Sequence, residues 1–149
     1  MGRILMFSLK DCPRMGIKGI LCTEAASGYW GLSSYDYNTF PMFMFEAISG
    51  RIERITGNIS YLGIPEKISF DNTLPLGDSI YVTNKVRTVC DMIRYESDVF
   101  HTLETVYNFY CYENEEEINR LERSASKLGI LDKMHELRDI AEKDFEDEQ

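Results

Sequence analysis

The first candidate for metal-dependent chemistry is a pair of acid–lysine dipeptides, Glu66-Lys67 and Asp132-Lys133. A nuclease needs an aspartate followed downstream by Glu-x-Lys on a strand, because two carboxylates must hold a divalent ion beside a lysine. Neither pair has that spacing. The sequence therefore does not favour a nuclease.

The segment 33–38 is the second candidate site. A nucleotidyltransferase needs Gly-Ser followed by two acidic residues at alternate strand positions, so that both carboxylates point at the metal ions. Here Asp36 supplies one carboxylate, but Asn38 occupies the position of the second. The sequence also lacks a Walker loop, a dinucleotide-binding glycine motif and a Gly-x-Ser-x-Gly elbow. We therefore expect no catalytic residues and no cofactor.

The cysteines are irregularly spaced, at Cys12, Cys22, Cys90 and Cys111. No two of them lie two to four residues apart, so the spacing of a zinc site is absent and we expect no bound metal. Cys22 and Cys90 lie in apolar runs and are predicted to be core residues. A nucleophilic pair of Cys111 with His101 or His135 stays open, because it depends on proximity in space.

Composition limits the classes of protein to which the chain can belong. Its 149 residues, 44% of them hydrophobic, suit one globular domain. With 25 acidic and 16 basic residues the net charge is −9, so nucleic-acid binding would need a local basic patch. No apolar run is long enough for a membrane span or a secretory signal. We expect a cytoplasmic protein.

The first half of the chain has the pattern of short strands separated by turns. It holds nearly all the glycines and all the prolines, which interrupt strand-length apolar segments. The predicted strands are 4–9, 19–22, 42–46, 59–62, 67–70 and 79–82. One helix is predicted after Thr23, ending near Gly31.

From Thr83 onward the apolar period becomes helical. Thr83 is predicted to cap a helix whose buried face contains Val86, Val89, Cys90 and Ile93. Asp98, Asn114 and Asp132 are predicted to cap three further helices. Gly129 is predicted to end the third of these four helices.

Strands followed by helices predict an α+β fold, in which a small mixed sheet from the N-terminal half packs with a C-terminal group of about four helices. We expect residues 1–149 to form a single domain. Its strand-rich part is 1–82, its helical part 83–145, and its frayed acidic tail 146–149.

Basic residues on the first C-terminal helix are the first candidates for contact with a partner. Lys85, Arg87 and Arg94 lie on it, and together they could form a binding patch. Arg87 and Asp91 are four residues apart, so an ion pair within the helix is the alternative.

The following helix is rich in aromatic residues and provides the second candidate surface, through Tyr107 and Tyr110. Apolar side chains surround nearly its whole circumference: Val106, Tyr107, Phe109, Tyr110 and Tyr112. A single buried stripe does not require so many. The helix is therefore either central in the domain or part of an interface, and both alternatives stay open.

Two segments resemble the AbiEi family of antitoxins, which belong to type IV toxin–antitoxin and abortive-infection systems of phage defence. Segment 19–32 resembles the family's small-residue helix ending in a Gly-Leu pair. Segment 80–93 is similar to its strand, threonine cap and helix beginning with Arg87-Thr88, with Asp91 four residues after the arginine. The resemblance covers roughly residues 19–141.

The resemblance implies a non-enzymatic antitoxin and a cognate AbiEii-type, nucleotidyltransferase-like toxin as its partner. Family members commonly begin with a winged helix-turn-helix of about 60 residues, which binds the operator. Only 18 residues precede the first motif here. We therefore expect this chain to lack the DNA-reading module and not to bind DNA directly.

Two other functions stay open. A transcriptional regulator of a phage-defence or toxin–antitoxin operon would bind specific DNA, and its affinity would fall steeply with salt. An enzyme that reverses the toxin's modification would need a carboxylate or Cys/His cluster, which the sequence does not reveal.

Overall fold

The computed structural model describes residues 8–48 and 52–147. In these ranges the strands are β1 (Gly19–Leu21), β2 (Met42–Glu46), β3 (Ile52–Thr56), β4 (Ile59–Ile64), β5 (Thr73–Gly77) and β6 (Ile80–Thr83). The helices are α1 (Thr23–Tyr29), α2 (Lys85–Arg94), α3 (Val99–Tyr112), α4 (Glu115–Lys127) and α5 (Leu131–Glu146). Two short 3₁₀ turns, Leu9–Asp11 and Pro13–Met15, precede β1. The fold is α+β, as predicted.

The sheet brings together segments that are distant in sequence. Its strand order is β3-β4-β2-β1-β6-β5. The pairs β1–β6 and β2–β4 are parallel, and the other neighbouring pairs are antiparallel. Because β1 and β6 are neighbours, the two segments that resemble the antitoxin family lie side by side.

The helices that follow β1 and β6 also pack on each other. The indole N–H of Trp30, just after α1, donates a 2.7 Å hydrogen bond to the carbonyl of Thr83 at the end of β6. Gly28 in α1 leaves no room for a side chain, because an added Cβ would overlap the carbonyl oxygen of Tyr35. Close packing around α1 therefore requires a glycine at this position.

Side-chain caps fix the starts of three helices. In each case the side-chain oxygen of the cap accepts a hydrogen bond from the backbone N–H three residues further along the chain. The caps are Asn84, Asp98 and Asn114. Asp98 and Asn114 are thus confirmed as caps. Gly129 adopts φ +74°, the left-handed conformation expected after a helix.

Two predicted caps are wrong. Thr83 ends β6 instead of capping α2, because its hydroxyl is buried and hydrogen-bonded to Thr88, and Asn84 is the cap. Asp132 lies inside α5, whose N-cap is Ile130 without a side-chain cap. The backbone N–H of Ile130 binds the carbonyl of Ala125 in α4, so the tight connection itself sets where α5 begins.

The strand predictions are partly wrong. The segment 67–70 is a loop, and there the backbone N–H of Ile68 binds the side chain of Glu46 instead of a strand partner. Strands β3 and β5 were not predicted. Both are edge strands with several exposed residues, so their apolar patterns are weak. The predicted strand 4–9 lies mostly outside the described residues, and its Leu9 begins a 3₁₀ turn.

The predicted tail 146–149 begins one residue too early, because α5 continues through Glu146. Residues 148–149 lie outside the described ranges. None of the helices in the described part of the chain is long and apolar enough to cross a membrane.

Two hydrophobic clusters hold the fold together. One lies on the sheet and includes Phe43 and Leu62, and the other joins α2 to α5 through Phe109 and Leu121. Trp30 packs against both clusters and links them. Cys22 and Cys90 are buried, as predicted.

Candidate functional site

Arg87 on α2 is directed inward, toward the sheet and the loop that precedes β5. Its Nη1 donates to the backbone carbonyls of Ser69 (3.3 Å) and Asp71 (2.9 Å). Its Nη2 lies 3.6 Å from the sulfur of Met44 on β2. Its side chain is only 14% exposed. Arg87 therefore fastens the loop to α2.

Asp91 lies at the centre of an ion network on the same helix face. Its Oδ2 accepts a hydrogen bond from Nε of Arg87 at 3.2 Å, and its Oδ1 accepts one from Nη1 of Arg94 at 3.4 Å. Arg94 also donates to Glu66 at 2.8 Å. Glu66 in turn accepts a hydrogen bond from the hydroxyl of Tyr95 at 2.5 Å. The predicted Arg87–Asp91 pair is thus one part of a larger, mostly buried network.

Burial controls the protonation of this network. Burial raises the pKa of Asp91 to about 6, although Arg87 and Arg94 beside it act in the opposite direction. Burial also raises the pKa of Glu66, but hydrogen bonds from Tyr95 and Arg94 outweigh it and leave this pKa below its ordinary value. At neutral pH both carboxylates are therefore ionised opposite the two guanidinium groups.

Lys85 occupies a different side of α2. Its Nζ lies 2.5 Å from Oε1 of Glu113, the residue that follows α3. The same ammonium lies 5.8 Å from the centroid of the Trp30 ring. About a third of its side chain is exposed. Lys85 joins α2 to the end of α3 and does not belong to the Arg87–Asp91–Arg94 network.

Tyr107 belongs to an aromatic surface at the junction of α3 and α5. We define the aromatic face as Val99, Phe100, Tyr107 and Phe145. The Phe145 ring lies edge-on to Tyr107 (centroids 5.3 Å apart) and to Phe100 (6.3 Å). Val99 and Phe100 are 68% and 54% exposed. This face is thus apolar and open to solvent.

Carboxylates surround the aromatic face. The hydroxyl of Tyr107 donates to Glu146 at 3.5 Å, and Glu104 binds Nδ1 of His101 beside Phe100. Asp98 caps α3 immediately before Val99. Further acidic residues flank Phe145 in the last turn of α5, where Lys143 is the basic residue.

Tyr110, by contrast, is used inside the helical group. Its hydroxyl donates to Glu122 on α4 at 2.9 Å, and the guanidinium of Arg138 on α5 lies 4.2 Å above its ring. Glu122 also pairs with His135 at 2.5 Å, and these contacts hold the pKa of Glu122 below its ordinary value. Tyr110 therefore joins three helices.

The structure answers the question about the aromatic helix. Val106 and Phe109 are completely buried, whereas Tyr112 is 81% exposed. Helix α3 packs against α1, α2 and α5. It is central in the helical group, and it opens to solvent at the aromatic face and at its C-terminal end, where Tyr112 lies.

The five predicted contact residues thus fall into four places. Arg87 and Arg94 share the ion network, Lys85 and Tyr110 make separate helix-to-helix contacts, and Tyr107 lies on the aromatic face. No hydrogen bond described for residues 8–48 and 52–147 joins Cys111 to His101 or His135, and each of these histidines binds a glutamate. No group of three or more metal-ligating side chains exists within residues 8–48 and 52–147.

Sequence reasoning missed Glu66 as the partner of Arg94, and it missed the exposure of Val99 and Phe100. The spacing of Arg87, Asp91 and Arg94 places all three on one face of a helix, which is a usable signal. Glu66 comes from a distant loop, and no local pattern indicates it.

Comparison with known proteins gives no relative. No protein-family model matches the chain, and no curated protein or solved structure shows significant similarity to it.

Proposed function

We propose that this chain is an antitoxin domain that acts in the cytoplasm and neutralises a nucleotidyltransferase-like toxin by direct protein contact. The proposal starts from the sequence resemblance to AbiEi-family antitoxins. The two segments that carry the resemblance form neighbouring parallel strands and packed helices at the middle of the fold. They are therefore elements on which the rest of the molecule is built.

The observation that carries the contact part of the proposal is the aromatic face. Burying Val99 and Phe100 against a partner would remove apolar surface from water, which is the main source of free energy in protein association. Large aromatic side chains are common anchors of interfaces. The face also contains Tyr107, one of the residues proposed from the sequence.

Charge supports the choice of partner. A nucleotidyltransferase must hold polyphosphate substrates, so its substrate groove is expected to be basic. The carboxylates around the aromatic face, and the net charge of −9, are complementary to such a groove. Binding there would both attract the toxin and block access of its substrate.

Arg87 and Arg94 have a different part in this proposal. Their guanidinium groups bind carboxylates and carbonyls of this chain. Breaking those contacts to bind a partner would leave Asp91 and Glu66 without their counter-charges, at high cost in free energy. They therefore position α2 and its loop and do not form the contact surface.

The test is co-expression of this chain with the proposed partner, a nucleotidyltransferase-like toxin of the AbiEii type, scoring growth rescue and co-purification together. Phe100→Asp should abolish both. Phe70→Asp is the matched control, because Phe70 is 59% exposed on the loop before β5, away from α3 and α5. It should leave both unchanged, and Val99→Asp should repeat the loss.

Each outcome decides one part of the proposal. Rescue with a complex that Phe100→Asp disrupts supports the aromatic face as the contact surface. Rescue without a complex overturns direct contact and points to reversal of the toxin's modification or to competition for its substrate. Absence of rescue overturns the antitoxin function.

A further inference from the structure

A cleft between α2, α4 and the loop before β5 lies apart from the aromatic face. Its volume is about 520 Å³, within the range of small-molecule sites. Arg87, Arg94 and Asp91 line one side of it, and the last turn of α4 lines the other. The antitoxin proposal does not use this cleft.

The charge of the cleft is opposite to that of the chain. Five cationic side chains line it, against three acidic ones. The cations are Lys67, Arg87, Arg94, Arg120 and Lys127. The acids are Glu66, Asp71 and Asp91. In a protein whose net charge is −9, this local excess of positive charge favours an anion.

The positive charges differ in their availability. Arg87 and Arg94 are held by Asp91 and Glu66, as described above. Arg120 pairs with glutamates of its own helix. Lys67 and Lys127 are exposed and make no ion pair within the described ranges, so both ammonium groups are available to a ligand. They lie on the loop and on α4, at opposite sides of the cleft.

The remaining walls suit a ligand that has both a charged and an apolar part. Ser69 and Ser124 bring hydroxyl groups, and Val86 and Leu128 bring apolar surface. The N-cap of α2, Asn84, also lines the cleft. The positive end of the helix dipole therefore adds to the positive electrostatic potential in the cleft. A phosphate tail with an attached ring would match both kinds of wall.

We propose that this cleft binds a phosphate-bearing small molecule of nucleotide size, with Lys67 and Lys127 contacting the phosphate groups. The phosphate could come from inorganic pyrophosphate or from a nucleoside diphosphate. Both present the same oxyanions, but only the nucleotide also covers Val86 and Leu128.

Isothermal titration calorimetry of the full chain with ADP, pyrophosphate and adenosine tests the proposal. We expect ADP to bind with a dissociation constant below about 1 mM and adenosine not to bind. Pyrophosphate binding as tight as ADP would identify the phosphate alone as the recognised group. Tighter ADP binding would identify the nucleotide. Either result supports the site, and binding should weaken with added salt.

A double variant locates the binding. Lys67→Glu with Lys127→Glu should raise the dissociation constant at least about tenfold. Lys10→Glu with Lys143→Glu changes the net charge equally at exposed positions that do not line the cleft, and it should have little effect. Circular dichroism and melting temperature establish that both variants fold. Binding of neither phosphate compound, or equal losses in the two double variants, would overturn the proposal.

Discussion

Helices α2 and α3 use their conspicuous side chains in opposite ways. On α2, Arg87 is 14% exposed and each of its nitrogens contacts another part of the chain. On α3, Val99 and Phe100 are more than half exposed. The charged helix thus organises the fold, whereas the aromatic helix leaves apolar surface that a partner can cover. Residue type alone does not distinguish a binding surface from a structural network.

The largest difference between the two regions should appear in stability. Arg87→Ala is expected to lower the free energy of unfolding by about 3–5 kcal/mol, because it leaves buried Asp91 without its closest counter-charge. Urea denaturation at neutral pH measures this. Arg123→Ala, at an exposed position without an ion pair among the described residues, should change stability by less than about 0.5 kcal/mol. Equal effects of the two variants would contradict a structural role for Arg87.

The titration of Asp91 should make the free energy of unfolding depend on pH. Its pKa rises from 3.8 to about 6 on folding, so the folded state binds more protons than the unfolded state between these values. The free energy of unfolding of the wild type should therefore fall, relative to Asp91→Asn, as pH rises from about 4 to about 6.

This change in the difference between the two proteins should be complete above about pH 7 and should amount to no more than about 3 kcal/mol. Urea denaturation across this range measures it. A difference that rises with pH would show that the two arginines outweigh burial at Asp91.

Lys85→Ala should have a smaller effect, of about 1 kcal/mol, since its ion pair with Glu113 is partly exposed and its ammonium also lies near Trp30. The control is Lys133→Ala, which removes a pair with Glu136 in which both side chains are more than half exposed. Thermal unfolding of the two variants should rank Lys85→Ala as the more damaging. The reverse order would mean that Lys85 does not hold α2 to the end of α3.

The smallest effect on stability is expected at the aromatic face. Phe100→Asp should change the free energy of unfolding by less than about 0.5 kcal/mol, because more than half of the side chain already contacts water. Chemical denaturation measures this change. A loss of several kcal/mol would place Phe100 in the core of the helical group and remove the reason to expect a partner there.

Much of the fold could be predicted from local patterns. The switch from short strands to helical periodicity gives the α+β class, and the caps at Asp98 and Asn114 act through hydrogen bonds within three residues. The errors arise where distant residues decide the structure. Thr83 is fixed by its place at the end of β6 and by Thr88, and the 67–70 segment is fixed by Glu46 and Arg87.

The candidate site was less predictable for the same reason. The types and spacing of Arg87 and Asp91 indicated an ion pair or a binding patch, and only tertiary contacts from Ser69, Asp71 and Glu66 separate these alternatives. Exposure of Phe100 depends on how α5 crosses α3. A single sequence does not reveal that crossing.

The most direct measurement is the affinity of the purified chain for the proposed partner, a nucleotidyltransferase-like toxin of the AbiEii type, compared between variants of the two regions. We predict that Phe100→Asp raises the dissociation constant by at least about 30-fold, as for an interface hot spot. The Lys67→Glu, Lys127→Glu double variant should bind nearly as the wild type does. Unchanged affinity of Phe100→Asp, together with a large loss in the lysine double variant, would show that the toxin binds at the α2–α4 cleft and contradict the account.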